Sequence, residues 1–294
     1  MVNLKLIGLL VVLSLQCFAG LKFGSYNIRT FDKNGSYTNK VELKEIIRKA
    51  NFDFYSVQEI VNAESLQNFI RTNFPEFELV LSSCGGAGRQ KLGFVYNKFK
   101  IKMLSIREDD ILSDVKSSGC DSLRPAMIGE FQQISNGRKF NAIAVHLKAG
   151  SGSRNYSRRN TQYAILGDLV EAFQKRGQKD IVIMGDFNTT GYALRDADYK
   201  NFRKFLNDHS LSTSARYIRC TSYWGGSDYS DNIEEASTLD HIVYSDNFMG
   251  NDSLSFDVYA HCEKARCRDT YVNVLGTSYE EVSDHCPISL QVND

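Results

Sequence analysis

The sequence has no net charge to spare. Lysine plus arginine and aspartate plus glutamate number 35 each, so no global field draws a polyanion, and any basic footprint for nucleic acid has to be local. Proline is scarce, at 3 residues, and no stretch is low in complexity. That excludes a stiff proline-rich linker, and neither a linker nor an internal repeat divides the chain. Long apolar runs are also missing beyond the N-terminus, so no later segment is apolar enough to cross a bilayer. Absent motifs narrow the chemistry further. There is no Gly-x-Ser-x-Gly nucleophile elbow and no His-Glu-x-x-His zinc site. The run Cys84-Gly85-Gly86-Ala87-Gly88-Arg89 could cradle phosphate, but it lacks the Gly-Lys-Ser/Thr ending of a nucleotide loop and reads better as a flexible hairpin loop.

What is present suffices for a large core: 42% of the residues are hydrophobic and 12% aromatic, which fits one big domain or two small ones. Met1 to Gly20 carries Lys5, the apolar run Leu6 to Leu15, and then Cys17-Phe18-Ala19. This is the layout of a secretory signal, too short for a comfortable membrane span. Cleavage is expected after Ala19, with residues 1–19 as signal peptide and 20–294 as one domain. Cys17 raises a rival, a lipoprotein anchor, for which Gln16 is a poor fit. The expected location is therefore secreted or periplasmic, with no membrane span in the mature chain.

Export gives meaning to the remaining cysteines, Cys84, Cys120, Cys220, Cys262, Cys267 and Cys286. An even count in an exported chain suggests disulfides, with connectivity left open among about 15 pairings. Cys262-x4-Cys267 could be a zinc half-site, but no matching second pair accompanies it. Cys286 beside His285 invites a nucleophile reading, which a structural disulfide outweighs.

Element signals follow in order. Lys22 to Ile28 reads as a strand, Thr38 to Ala50 as an amphipathic helix, Phe52 to Val57 as a strand and Glu64 to Phe74 as a helix. This β-α-β-α opening suggests layers of helix over sheet. Strands are expected at Phe77 to Leu81, Leu92 to Tyr96, Ile101 to Ile106, Met127 to Gln132 and Lys139 to Val145. A long helix runs to about Lys175, and a shorter one covers Tyr199 to His209. Residues 107–121 and 211–238 read as irregular. The run Ile181-Val182-Ile183-Met184 reads as a strand buried on both faces. It meets Gly185 and then presents Asp186 and Asn188 on one side, with Phe187 turned the other way.

Six segments share that form, an apolar strand with polar groups at or near its end. They offer Asn27, Glu59, His146, Asp186 with Asn188, Asp240 with His241, and Asp284 with His285. Each alone has a dull explanation as a solvated loop residue or a turn; their joint occurrence does not. Glu59 and Asp284 are hard oxygen ligands suited to Mg²⁺ or Ca²⁺. A histidine beside a carboxylate can have its tautomer fixed and its basicity raised. The inventory fits metal-assisted hydrolysis of a phosphoester by water.

The motifs Ser25-Tyr26-Asn27-Ile28, Val57-Gln58-Glu59, Val145-His146-Leu147-Lys148, Gly185-Asp186-Phe187-Asn188, Leu239-Asp240-His241-Ile242 and Ser283-Asp284-His285-Cys286-Pro287 resemble, in order and rough spacing, those of the endonuclease/exonuclease/phosphatase superfamily. His146 is similar to the deoxyribonuclease I side of it. The resemblance implies a four-layered α/β sandwich, two mixed sheets face to face with helices outside. It implies Glu59 and Asp284 as ligands of a divalent metal, Mg²⁺ first and Ca²⁺ or Mn²⁺ after it, with Asn27 in the same shell. It makes His285 the general base, oriented by Asp240. Asp186 would position the attacking water, Asn188 would contact the scissile phosphate, and His146 would hydrogen-bond that phosphate and protonate the leaving oxygen. Arg124 sits where a phosphate-binding arginine fits, and His241 reads as structural.

One departure stands out. Deoxyribonuclease I-like enzymes pair the first histidine with a carboxylate from the region that here reads Arg89-Gln90-Lys91-Leu92-Gly93, without an acid. The expected activity is a secreted nuclease of low sequence specificity, acting on DNA or RNA as a monomer with no obligate protein partner. Lys148, Arg154, Arg158 and Arg159 are local cations for the substrate or an ordinary helix start. The alternatives are a sphingomyelinase-like phospholipid or inositol-phosphate phosphodiesterase, with Tyr223-Trp224 as its weak membrane hairpin, and a non-catalytic binding module.

Overall fold

The computed structural model describes residues 20–33, 37–113, 120, 122–226, 231–246, 248–250 and 253–293. The expected signal peptide and the rival anchor at Cys17 lie outside the described residues. Local signals set the helix boundaries. Helix α1, Lys40–Ala50, starts at Lys40 because the Asn39 side chain accepts from the amides of Val41 and Glu42. Asn51 then closes the helix in the left-handed region. Helix α2 is Ala63–Asn73, α3 is Ser153–Lys175 and α4 is Ala197–Asp208. Two short helices, α5 at Ala260–Ala265 and α6 at Val272–Leu275, come late.

Two six-stranded sheets carry the fold. The first contains β1 (Lys22–Phe31), β2 (Phe54–Ile60), β3 (Phe77–Leu81), β4 (Lys91–Asn97), β13 (Leu254–Val258) and β15 (Ile288–Val292), in the order β13-β15-β1-β2-β4-β3. The second contains β5 (Ile101–Asp109), β6 (Ala126–Gln133), β7 (Lys139–His146), β8 (Ile181–Asp186), β9 (Leu211–Thr213) and β12 (Asp240–Ser245), in the order β5-β6-β7-β8-β12-β9. A small third sheet joins β10 (Ser222–Trp224), β11 (Ile233–Ser237) and β14 (Thr270–Tyr271). Each large sheet holds one parallel pair, β1 with β2 and β7 with β8, among antiparallel ones. Residues 211–238 are therefore less irregular than their composition suggests.

Strand alternation sorts the core into three layers. Phe23, Phe54, Phe94, Phe131, Phe140, Met184, Ile242 and Leu290 interdigitate between the sheets. The intervening residues of the first sheet, Tyr26, Ile28, Tyr55 and Val57, pack under Leu43, Ile47, Leu66 and Phe69 of α1 and α2. Those of the second sheet, Ile143, Val145, Ile181, Ile183 and Val243, pack under Tyr163, Leu166, Phe202 and Phe205 of α3 and α4. The result is the four-layered sandwich, helix on sheet on sheet on helix. No helix among the described residues is long and apolar enough to cross a membrane.

The cysteines pair as Cys84–Cys120, Cys220–Cys267 and Cys262–Cys286. Cys262 and Cys267 thus belong to different bridges and form no zinc half-site, and Cys286 is no free nucleophile. Cys220, Tyr223, Cys262, Leu275 and Cys286 form a satellite core beneath the third sheet. The hydroxyl of Tyr223 donates to the Arg268 carbonyl at 3.0 Å. Tyr223 is buried, which leaves Trp224 alone of that pair exposed.

Candidate active site

The site forms at one end of the cleft between the sheets, and strand register explains how. His146 on β7 lies opposite Asp186 on β8, and Asp186 lies opposite Asp240 on β12. By alternation these three extend the row Ala144, Met184 and Ile242, which faces the first sheet. Across the cleft, Asn27 of β1 continues the row of Phe23 and Ser25. Asp240 and His241 begin their strand rather than end it, and Asp284 and His285 precede β15. Because β12 runs antiparallel to β8 and β15 antiparallel to β1, their starts lie at the same rim as the other strands' ends.

Two backbone features refine the placement. Gly185 has φ 148°, and a Cβ there would sit 2.0 Å from the Val145 carbonyl oxygen. Only glycine lets β8 approach β7 so closely just before Asp186. Glu59 has φ 63° and Asn188 has φ 52°. Alternation alone would aim Gln58 at the cleft and Glu59 away. A register shift between β1 and β2, with the left-handed turn at Glu59, brings Glu59 back to the site. Gln58 remains buried beneath it, bonded to Ser25 and Ser56 in a polar floor.

A continuous hydrogen-bond chain joins the acids. Asn27 Nδ2 donates to Glu59 Oε1 at 3.3 Å and to Asp186 Oδ2 at 3.1 Å. The Thr30 amide donates to Glu59 Oε2 at 2.9 Å, and the Asn188 amide to Asp186 Oδ1 at 2.8 Å. His285 Nδ1 lies 2.7 Å from Asp240 Oδ2, and its Nε2 lies 3.9 Å from Asp186 Oδ2. Burial alone would depress the His285 pKa. The Asp240 carboxylate, then Asp186 and Asp284, outweigh it and raise it well above the usual histidine value. His146 goes the opposite way, pushed well down by burial and by the positive charge of Arg124 and His285. Burial, against the opposing pull of His285, and the neighbouring Asp240 push Asp186 up to about 7.

The missing carboxylate partner of His146 has a visible consequence. His146 Nε2 lies 3.4 Å from Asp186 Oδ2 and 3.8 Å from Glu59 Oε1, so the site's own acids orient it. Its Nδ1 is buried without a partner among the described residues. Arg124 donates through Nε to the His146 carbonyl at 3.2 Å and through Nη2 to the Leu147 carbonyl at 2.7 Å. It therefore pins the end of β7, with its charge beside Asp186 and Glu59. Asn188 Nδ2 donates to the same Leu147 carbonyl at 3.2 Å. His241 is structural: it is buried between the Thr189 and Thr213 hydroxyls, and burial pushes it down to about 3.

Glu59, His146 and Asp186 offer ligand atoms within 4.8 Å of one another, a group that could hold a metal ion. Asn27 Oδ1 and Asp284 Oδ1 are buried oxygens without a hydrogen-bond partner among the described residues, and Glu59 supplies a further carboxylate beside Asn27. All are hard oxygen donors. The nearest cation to Asp284 is Arg29, with Nε 3.8 Å from Oδ1.

Thr221 carries no signal in the sequence, yet it ties the histidine to its acid. Its hydroxyl accepts from the amides of Leu239 and Asp240, both at 2.9 Å, and its carbonyl accepts from the Cys286 amide at 2.7 Å. Flanking disulfides at Cys220 and Cys286 hold the same segments. Thr221→Val strands the buried Asp240 amide, at a cost of about 1–3 kcal/mol, leaves the half-buried Leu239 amide without its acceptor, and loosens the Asp240–His285 pair. The expected result is a lower kcat with little change in KM, restored by Thr221→Ser. Equal kinetics in the valine variant would remove this positioning role.

Comparison with known proteins places these features in context. The Endonuclease/Exonuclease/phosphatase family profile matches residues 24–285. Human Deoxyribonuclease-1 is 24% identical over 245 residues, covering 74% of this chain and 81% of that protein. An endonuclease/exonuclease/phosphatase from Bacteroides vulgatus superposes with a TM-score of 0.63 at 16% identity, covering 93% of this chain and 99% of that one. A mannosyl-6-phosphatase from Bacteroides thetaiotaomicron gives 0.60 at 18%, covering 92% and 99%.

Proposed function

The chain belongs to the endonuclease/exonuclease/phosphatase family, deoxyribonuclease I-like phosphoester hydrolases, and from that premise we propose that it is a secreted, Mg²⁺-dependent nuclease of low sequence specificity. The observation that carries the reading is the His285–Asp240 pair meeting the Asn27–Glu59–Asp186 hydrogen-bond chain at one rim. Three disulfides support an extracellular home. The expected signal peptide at 1–19 belongs to the same proposal.

Glu59 and Asp284, with Asn27, would hold the cation. When bound, it would lower the pKa of a nearby water and offset charge developing on the phosphate. With Nδ1 fixed by Asp240, His285 Nε2 is the atom left to accept a proton from the attacking water. The surrounding carboxylates stabilise the imidazolium that proton uptake produces. Asp186 sits within reach of both histidines and would orient the water. Asn188 and His146, at the ends of adjacent strands, would hold the scissile phosphate, and His146 would serve the leaving oxygen. Arg124 would add positive charge from beneath.

Against the phospholipid alternative stands the burial of Tyr223, which leaves Trp224 as the one exposed aromatic of that pair. The test is a substrate panel: plasmid DNA, RNA, a choline phospholipid and a sugar phosphate, each with Mg²⁺ and with EDTA. Cleavage of DNA or RNA that disappears in EDTA is the expected result. Turnover confined to the lipid or the monoester overturns the nuclease reading. A folded protein that hydrolyses none of them overturns the enzyme.

A further inference from the structure

Beside the active site lies a groove that none of the motifs explains. It has a volume of about 570 Å³ and is lined by Arg195, Arg216 and Arg219 together with Tyr192, Tyr217 and Thr238. No carboxylate lines it. Five other arginines, Arg29, Arg48, Arg107, Arg138 and Arg159, each face a carboxylate. Among the described residues, Arg195, Arg216 and Arg219 make no ion pair. In a chain with equal numbers of acids and bases, three exposed and unpaired arginines around one concavity are a local concentration of positive charge. Arg203, Arg195 and Arg216 all act on the half-buried Tyr192 in the direction opposite to its burial.

The groove shares a wall with the catalytic centre. Tyr192 follows closely on Asn188, and Thr238 closely precedes Asp240. Thr189 Oγ1 donates to the Thr238 carbonyl at 2.6 Å, and the Phe187 amide to the Leu239 carbonyl at 2.9 Å. At the far side, Tyr217 stacks on Phe256 with ring centroids 4.5 Å apart and stays 64% exposed, so its ring is held flat with its outer surface open.

We propose that this groove takes the phosphates of a polynucleotide strand beyond the scissile bond, making the preferred substrate a polymer rather than a nucleotide, a phosphomonoester or a lipid headgroup. The proposal rests on the phosphodiesterase reading above and deepens it. Guanidinium groups match phosphate oxygens in a planar fork, and an exposed aromatic ring offers a base a stacking surface independent of sequence. Contacts of this kind give length-dependent affinity without sequence readout.

The test compares the parent with Arg195→Ala/Arg216→Ala/Arg219→Ala and the three single variants. Labelled single-stranded DNA, single-stranded RNA and duplex DNA are titrated in EDTA across a range of KCl, so binding is read without turnover. Initial rates are then measured with Mg²⁺ on plasmid DNA and on bis(4-nitrophenyl) phosphate. The triple variant is expected to bind at least about tenfold more weakly at low salt. Its log-log salt slope should be shallower by about 2 to 3, with roughly one unit per single variant. KM for plasmid should rise while the small diester is hydrolysed as before. Unchanged affinity and slope overturn the proposal, and so does an equal loss on the small diester, which would place the arginines in the catalytic step. If the parent itself fails on the small diester, the phosphodiesterase reading fails, while the EDTA titration still decides the groove.

Discussion

Asp186→Asn is expected to reduce hydrolysis by on the order of a hundredfold or more, while the metal-free protein melts at or above the parent temperature at pH 8. The rate loss follows from position. Asp186 accepts from Asn27 and from the Asn188 amide, and lies within 4 Å of a nitrogen on both His146 and His285. The substitution keeps shape and an acceptor for Asn188 but removes the charge that orients both rings. The stability gain follows from the same crowding. Burial and the neighbouring Asp240 push Asp186 up to about 7, from an unfolded value near 3.9. A carboxyl whose folded pKa is raised contributes stability that is present below about 3.9 and lost as pH rises through about 7. The variant has no such loss. The gap between variant and parent should therefore be widest above pH 7 and close as pH falls toward 4. Thermal unfolding in EDTA across that range, with initial rates in Mg²⁺, measures both halves. An active variant would return the Ile181 to Thr190 segment to being a strand and a turn.

Alternation along strands made most of this site legible. Asn27, His146 and Asp186 sit in step with buried residues of the same strand, so period-two reading places them on the face between the sheets. Glu59 sits out of step. Its placement depends on a register shift and a left-handed turn, which a non-glycine residue does not announce. Thr221 was illegible for another reason. It acts through backbone amides of a strand that follows later in the chain, and hydroxyls that bond to backbone leave no spacing pattern. Of the groove arginines, Arg216 and Arg219 are three residues apart, but Arg195 lies about twenty residues earlier, and no strand or helix pattern joins it to them. Local cations read from the α3 start, by contrast, included Arg159, which the structure buries completely. The starts of α1 and α4 lie two residues from their expected positions, Thr38 and Tyr199, where Asn39 and Asp196 cap them.

Arg159→Met is the substitution with the largest expected cost to stability. The guanidinium has five N–H groups, and the structure gives each an acceptor. Nε donates to Asp198 Oδ1 at 3.0 Å, and Nη2 to Asp198 Oδ2 at 2.8 Å and to Thr190 Oγ1 at 3.1 Å. Nη1 donates to the carbonyls of Lys148 at 2.6 Å and Gly150 at 2.8 Å. Both charged side chains are fully buried. Removing one leaves the other uncompensated, at a cost of about 3–5 kcal/mol, which lowers Tm by roughly 10 °C for a domain of this size. Arg159→Met/Asp198→Leu should recover most of that loss, because apolar pairs of similar volume often replace buried ion pairs without penalty. Activity should not recover with it. Arg159 ties the loop after His146 to the loop after Asn188, and an apolar pair cannot hold the Lys148 and Gly150 carbonyls. Displacing such loops by about 1 Å can cost on the order of a hundredfold in rate. A double variant restored in Tm but still slow on plasmid DNA is the expected outcome. Full activity in that variant would show that the buried pair serves the fold alone.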